Sequence, residues 1–372
     1  MISRVMGLSI LREMAVAIAL LAVWAGTAGA WPTGPAEDAA ALTTGAAPDR
    51  ATAALALARE APERAKTALV PLLRDADPGV RLLVARWLVR HEVSAGVATA
   101  AGWVSATVPR DRNLGLSALR EATALTPEAR RAVERALLDG DGPTRVLAID
   151  VLAAHPASTS GAPTSLLRAL DDDEPGVRLR AVRALAATRD AKAGLALVAR
   201  TTDGDRAVRN AAVEALGDLG DARAVPALLR LLADEAFEAR PGAATALGRL
   251  GATSAVPTLV RLAARRPRDE LARRALAALG EIATPEALAA LAAAAREPTG
   301  GDDVRVAFAL AGPRAFATLT HELAVGSATS VARAADALGA LGDPRAVPDL
   351  VEVAARHDGA STAALAALAR FD

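Results

Sequence analysis

The residues of this 372-residue chain best suited to metal chemistry are histidines beside glutamates. His91-Glu92 and His321-Glu322 each place an imidazole next to a carboxylate, two groups that can ligate a metal. A metal centre needs several such pairs converging on one point, and His155 and His357 have no glutamate neighbour. Cysteine is absent, which excludes thiolate nucleophiles, thiolate ligands and disulfides. There is no Gly-x-Ser-x-Gly elbow, no P-loop and no dinucleotide fingerprint, and the glycines fall where helix ends and turns need them. No catalytic residue, metal or cofactor is assigned, and an enzyme is not expected.

Arginine carries most of the remaining polar chemistry, since lysine occurs only at 66 and 192. Asp75/Arg81, Asp139/Arg145, Asp172/Arg178, Asp203/Arg209 and Asp234/Arg240 repeat one spacing, and Arg112 continues the arginine row. A planar guanidinium can serve a carboxylate and a loop carbonyl at once, so a structural role is expected for this row. A second group, Arg261, Arg265, Arg266, Arg268, Arg273 and Arg274, is offset only by Asp269 and Glu270. Arg274, Arg305 and Arg333, with Arg266 and Arg268 beside them, form a candidate basic stripe for an acidic protein partner. The alternative is a solvated face in an arginine-rich chain. Basic and acidic residues balance at 43 each, which argues against a general nucleic-acid binder.

These residues are set out on a repeat. Leucine recurs at 57, 88, 119, 152, 185, 216, 247, 279, 310, 338 and 368, at intervals of 28 to 33 residues, nearly always after a small residue. Each period holds two segments with apolar residues at i, i+3, i+4 and i+7, such as 208–216 and 224–232. Glycine and aspartate punctuate the joins, as in Gly217-Asp-Leu-Gly-Asp221. One helix pair cannot bury its own apolar face, so neighbours must stack. The reading is an all-α solenoid of about ten helix pairs.

With Val-Pro at 70–71, 225–226, 256–257 and 347–348, the repeat resembles HEAT repeats, particularly the bacterial type of phycobilisome lyase subunits. The resemblance implies an Asp–Arg ladder between neighbouring repeats, second helices lining a concave face, and protein binding there. HEAT-fold deoxyhypusine hydroxylase carries a di-iron centre on four equivalent His-Glu pairs. Here the two pairs are not equivalent, because His91 ends a second helix and His321 lies within a first helix. The arginine row lapses at Ala272, Asp303, Val331 and Ser361, so looser stacking is expected in the last four repeats.

Residues 1–30 read as a signal peptide: Arg4 and Arg12, an apolar run from Ala15 to Trp24, then Ala28-Gly29-Ala30 as a cleavage site. Retention as an uncleaved anchor is the alternative. Residues 31–48 read as a flexible linker and 49–372 as the solenoid. Gly96, Ala98, Ala100, Ala101 and Gly102 are expected to make room for Trp87, or else Trp87 and Trp103 anchor a partner. The expectation is an exported, monomeric, non-catalytic protein-binding scaffold or assembly factor of the periplasm or cell envelope, without nucleic-acid binding and off the membrane after cleavage. An accessory subunit of a lyase-like modifying enzyme is the alternative.

Overall fold

The computed structural model describes residues 37–156, 164–188, 191–265, 267–297, 301–356 and 358–371, and every regular element among them is helical. The chain divides into two compact units, Met1–Thr99 and Ala100–Asp372. The first holds α1 (Glu37–Thr44), α2 (Ala47–Glu60), α3 (Pro62–Ala68) and α4 (Pro78–Arg90), with α5 (Ser94–Val104) running across the boundary. Pro78 stands at the start of α4, where no backbone donor is missed, and the Asp77 carboxylate caps it by accepting from Gly79 and Val80 at 2.8 and 3.1 Å. Within the stretch expected as linker, Glu37–Thr44 is a helix: α1 packs on α2, and Leu42 is only 3% exposed. Its Leu and Ala content suffices for one apolar stripe, which α2 covers.

The second unit continues with α6 (Pro109–Leu119), α7 (Pro127–Ala136), α8 (Gly142–Ala154), α9 (Thr164–Arg168), α10 (Pro175–Ala186), α11 (Ala191–Arg200) and α12 (Arg206–Leu219). It is completed by α13 (Val225–Ala233), α14 (Arg240–Arg249), α15 (Val256–Ala263), α16 (Glu270–Ile282), α17 (Pro285–Ala295), α18 (Gly301–Ala311), α19 (Phe316–Val325), α20 (Ala328–Leu341), α21 (Val347–Ala355) and α22 (Ser361–Leu368). Within it each even-numbered helix stacks on the next even one and against its own odd partner, which makes an α-solenoid. Across the described residues the α-helices number twenty-two, α1 to α22.

Small residues set the spacing of that stack. A Cβ added to Gly217, Gly248 or Gly339 would lie 2.7 to 2.9 Å from Ala246, Ala278 or Ala367 in the next even helix, and one on Gly280 would lie 2.1 Å from the Ala307 carbonyl oxygen. Each of these alanines precedes the buried residue of its repeat, so the register in α18 runs through Phe308, which is 1% exposed. Leu310, the leucine of the sequence register, is 42% exposed. The left-handed residue four positions after the buried one agrees: Gly220, Gly251, Ala283, Gly312 and Gly342 all have positive φ. With Phe308 in register the short 28-residue interval disappears.

Trp87 does not occupy the space that the glycines of α5 leave. Its indole stacks on His91, with ring centroids 4.0 Å apart, whereas Gly96 packs against Leu88 and nothing comes within 4 Å of a Cβ on Gly102.

Candidate partner-binding surface

The arginine row closes the joins between repeats. Arg145 donates from Nε and Nη2 to both Asp172 oxygens at 2.7 and 2.8 Å, and from Nη1 to the Asp139 carbonyl at 2.7 Å. Arg178 does the same with Asp203 and the Asp172 carbonyl, and Arg112 reaches Asp139 and the carbonyls of Ala106 and Thr107. Each aspartate also accepts a backbone N–H two residues on: Asp141 on Asp139, Glu174 on Asp172, Asp205 on Asp203. Arg81 donates to the carbonyls of Asp75 and Ala76. The partner of Asp75 is Arg50, missing from the sequence row although it lies seven residues before Leu57 like its equivalents. Hydrogen bonds from Arg50 hold the Asp75 carboxyl below its ordinary range, against the opposing effect of burial.

The row changes partners before it ends. Arg209 pairs with Glu238, not Asp234, whose carboxylate instead accepts from the Ala236 N–H. Arg240 donates to the Leu232 carbonyl and reaches no carboxylate among the described residues. Beyond it other arginines take over the joins. Arg314 donates to the carbonyls of Glu281 and Ile282 at the end of α16, Arg356 to that of Leu323, and Arg296 pairs with the buried Glu322. The expected loosening of the last repeats therefore rests on one row where several operate.

The histidines are absorbed by the same framework. His91 Nδ1 lies 2.8 Å from the Trp87 carbonyl, and Glu92 occupies the left-handed position after α4. His155 is 8% exposed with Nε2 3.1 Å from the Leu119 carbonyl, and its own carbonyl accepts from Arg130. In the second pair the neighbours part company: Glu322 is buried on Arg296 and His321 is exposed. No cluster of three metal-ligating side chains occurs among the described residues.

The arginines of the candidate basic stripe have partners within the chain. Arg274 pairs with Glu270 on its own helix at 2.7 Å, and Arg305 lies near Asp302 and Asp336 at 3.5 and 3.7 Å. Arg333 is half-buried, donating to the carbonyls of Ala295 and Glu297. Arg268 is nearly buried, with a side chain 6% exposed against Glu297. With Phe308 in register, Asp303 and not Arg305 shares the row of Arg274 and Arg333. Arg266, His357 and the expected cleavage residues Ala28 and Ala30 lie outside the described residues.

On the even-helix face the structure shows a groove of about 360 Å³. Its floor is Pro241, Gly242 and Thr245 of α14; Asn210 and Glu214 of α12 stand on one side, Glu270 and Arg274 of α16 on the other. Along the same face Val306 and Leu310 of α18 are 46% and 42% exposed. The sequence hid this step, because Ala309-Leu310 imitates the small-then-leucine signature of the core. A second, more open notch of about 450 Å³ is lined by Asp171, Asp172, Asp173, Arg178, Arg200 and Asp203, and its charges are largely those of the ladder.

Comparison with known proteins agrees with this architecture. Residues 163–240 and 231–311 match HEAT repeats and residues 331–356 match the PBS lyase HEAT-like repeat; the chain is a HEAT-repeat protein. Importin β is similar in fold, at 15% identity over 92% of this chain and 58% of that one, with a TM-score of 0.57. Kap121p is similar at 15% identity over 90% and 44%, with a TM-score of 0.53. This chain thus spans about half the length of these two solenoids. Human deoxyhypusine hydroxylase aligns at 23% identity over 65% and 95%, with a TM-score of 0.31. No curated protein sequence matches the chain.

Proposed function

We propose that this HEAT-repeat scaffold is a non-catalytic, exported assembly factor that holds a protein partner on the even-helix face of its second unit. One observation carries the reading: that face combines a groove over α14 with an exposed aliphatic step on α18. Apolar side chains set among polar neighbours are the usual anchors of protein interfaces. The engagement of His91 and His155 by backbone carbonyls supports binding over catalysis. The fold shared with importin β supports it too, as does Kap95p, similar at a TM-score of 0.54, which binds RanGDP. Export rests on the basic and apolar run before Ala28-Gly29-Ala30; among the described residues no helix is long and apolar enough to cross a membrane.

Affinity purification of the tagged full chain from the cell envelope, with the intact mass of the mature protein, tests both parts. The expected result is a mass beginning at Trp31 and a co-purifying protein lost on Leu310→Asp. Recovery only from the cytoplasm, or capture indifferent to that substitution, overturns the respective part. The match of residues 331–356 to the PBS lyase HEAT-like repeat favours a second reading, an accessory subunit of a modifying enzyme. In that case the co-purifying protein is itself an enzyme whose turnover depends on this chain.

A further inference from the structure

We infer that the second unit carries a hinge at one joint, between α18 and α20, where the block from α19 to α22 rocks against α17 and α18 over the buried Phe308.

Apolar packing closes the other joints. The residue three positions before the buried one of each repeat lies under the next even helix: a Cβ on Gly242 of α14 would meet Val213 of α12 at 3.4 Å. That residue is apolar and 0% exposed in each even helix from α6 to α16 and again in α20, as Leu116, Val213, Leu276 and Ala335 show. On α22 it is Leu365, 59% exposed with no described helix stacked on it. In α18 it is Arg305, whose side chain is 46% exposed although α20 follows. The residue just after the buried one behaves alike. From α12 onward it is glycine at 217, 248, 280 and 339, each against an alanine of the next even helix, but in α18 it is the exposed Ala309. Accordingly, α18 and α20 touch least of all successive even helices in the second unit.

What holds this joint is polar. Arg305 lies 3.7 Å from Asp336 of α20 and 3.5 Å from Asp302 of its own helix, and Asp336 is shared with Arg370 at 2.8 Å. Half-exposed pairs of this length contribute little and weaken with salt. The firmer ties run to α17. Arg333 of α20 passes the start of α18 at Gly301 and donates to the carbonyls of Ala295 and Glu297, where α17 ends. Between them in sequence, Arg296 reaches the buried Glu322 of α19. Beneath the joint the core stays shut, with Phe308 1% and Val331 3% exposed. Close-packed apolar faces hold one geometry, whereas ties along one edge and screened pairs along the other leave a rotation free. The end of α17 is the pivot, and the Arg305 edge opens.

The chain has no cysteine, so paired nitroxides on introduced ones read distances without background. Ala289→Cys with Val351→Cys spans the joint from α17 to α21. Ala222→Cys with Ala289→Cys spans two close-packed joints, from the start of α13 to α17, and all three positions are exposed. Double electron–electron resonance on the full chain reads both pairs. The first pair is expected to give a distance distribution roughly twice as wide as the second, and wider still when salt rises from about 0.1 to 1 M and the screening length falls from about 10 to 3 Å. The second should not respond to salt. Arg305→Leu, which restores the apolar residue of the row, should narrow the first pair to the width of the second at both salt levels. Arg333→Ala, which cuts a tie to α17, should widen it. Circular dichroism confirms that these variants fold, and the salt comparison needs neither of them. A first pair as narrow as the second, a second pair as wide or as salt-sensitive as the first, or a width indifferent to salt or to Arg305→Leu overturns the hinge.

Discussion

Arg145 satisfies two carboxylates and a carbonyl with a single side chain that is 11% exposed. Replacing it with alanine leaves Asp172, 12% exposed, with little beyond the Glu174 N–H to balance its charge. Removing one partner of a mostly buried pair costs on the order of 3 kcal/mol. Arg145→Ala should lower unfolding free energy by about that amount in urea titration, and Arg145→Lys by roughly half, since one ammonium cannot replace the fork. Asp75 adds a pH signature. Its carboxyl is held low in the folded state by Arg50, so the stabilisation is complete above the unfolded carboxyl range near pH 4 and is lost as acid titrates the folded group. Asp75→Asn should flatten the acid limb of a stability-versus-pH curve. Glu281 has the opposite sign: burial raises its pKa, against the pull of Arg249, and its Oε2 is buried without a hydrogen bond. The residue-scale signal in the sequence was the arginine spacing. The choice of Glu238 over Asp234 by Arg209 was not readable, since both carboxylates lie within the reach of a long side chain.

Helix ends show a rule that glycine announces only in part. The left-handed position four residues after the core residue is glycine at 220, 251, 312 and 342, yet alanine at 283 and glutamate at 92. A Cβ at positive φ costs roughly 1–2 kcal/mol, partly offset by the extra backbone freedom of glycine when unfolded. Ala283→Gly and Glu92→Gly should each raise stability by about 0.5 kcal/mol, measured as a higher urea midpoint with unchanged slope. A fall in the midpoint would mean that the wild-type side chain makes a compensating contact. Once these ends are aligned, α18 falls into register on Phe308, which leucine spacing alone could not reveal. The aliphatic step at Val306 and Leu310 became visible only then.

At the scale of the second unit, stability is a chain of nearest-neighbour interfaces, each depending on how closely even helices approach. Gly280 is the tightest of these, and a Cβ there would meet the Ala307 carbonyl at 2.1 Å. Gly280→Val should push α16 and α18 apart, so that hydrogen exchange quickens from α18 onward before α12 and α14 are affected. Gly102→Ala is the control: nothing lies within 4 Å of the added methyl, and a helix-interior glycine gives way to a better helix former. Uniform acceleration in the first variant would show that the unit unfolds as one block.

The repeat, its helical character and the central residues of the Asp–Arg ladder, from Asp139 to Asp203, were fixed by local chemistry, whereas Arg50 and Glu238 were missed and Asp234 and Arg240 stand outside it. Amphipathic periodicity, capping residues and a small residue before a buried one are properties of single helices, and these the chain states directly. Partner choice within the ladder, the packing of residues 37–48, the pairing of Arg274 and Arg305 with carboxylates, and the exposure of Leu310 belong to the tertiary structure. They depend on which helix lies against which, and small differences in loop length between repeats change that without altering any local signal. The His-Glu pairs that opened as candidate ligands show the same division. Their chemistry was written in the chain, and packing turned His91 to a carbonyl and Glu322 to an arginine.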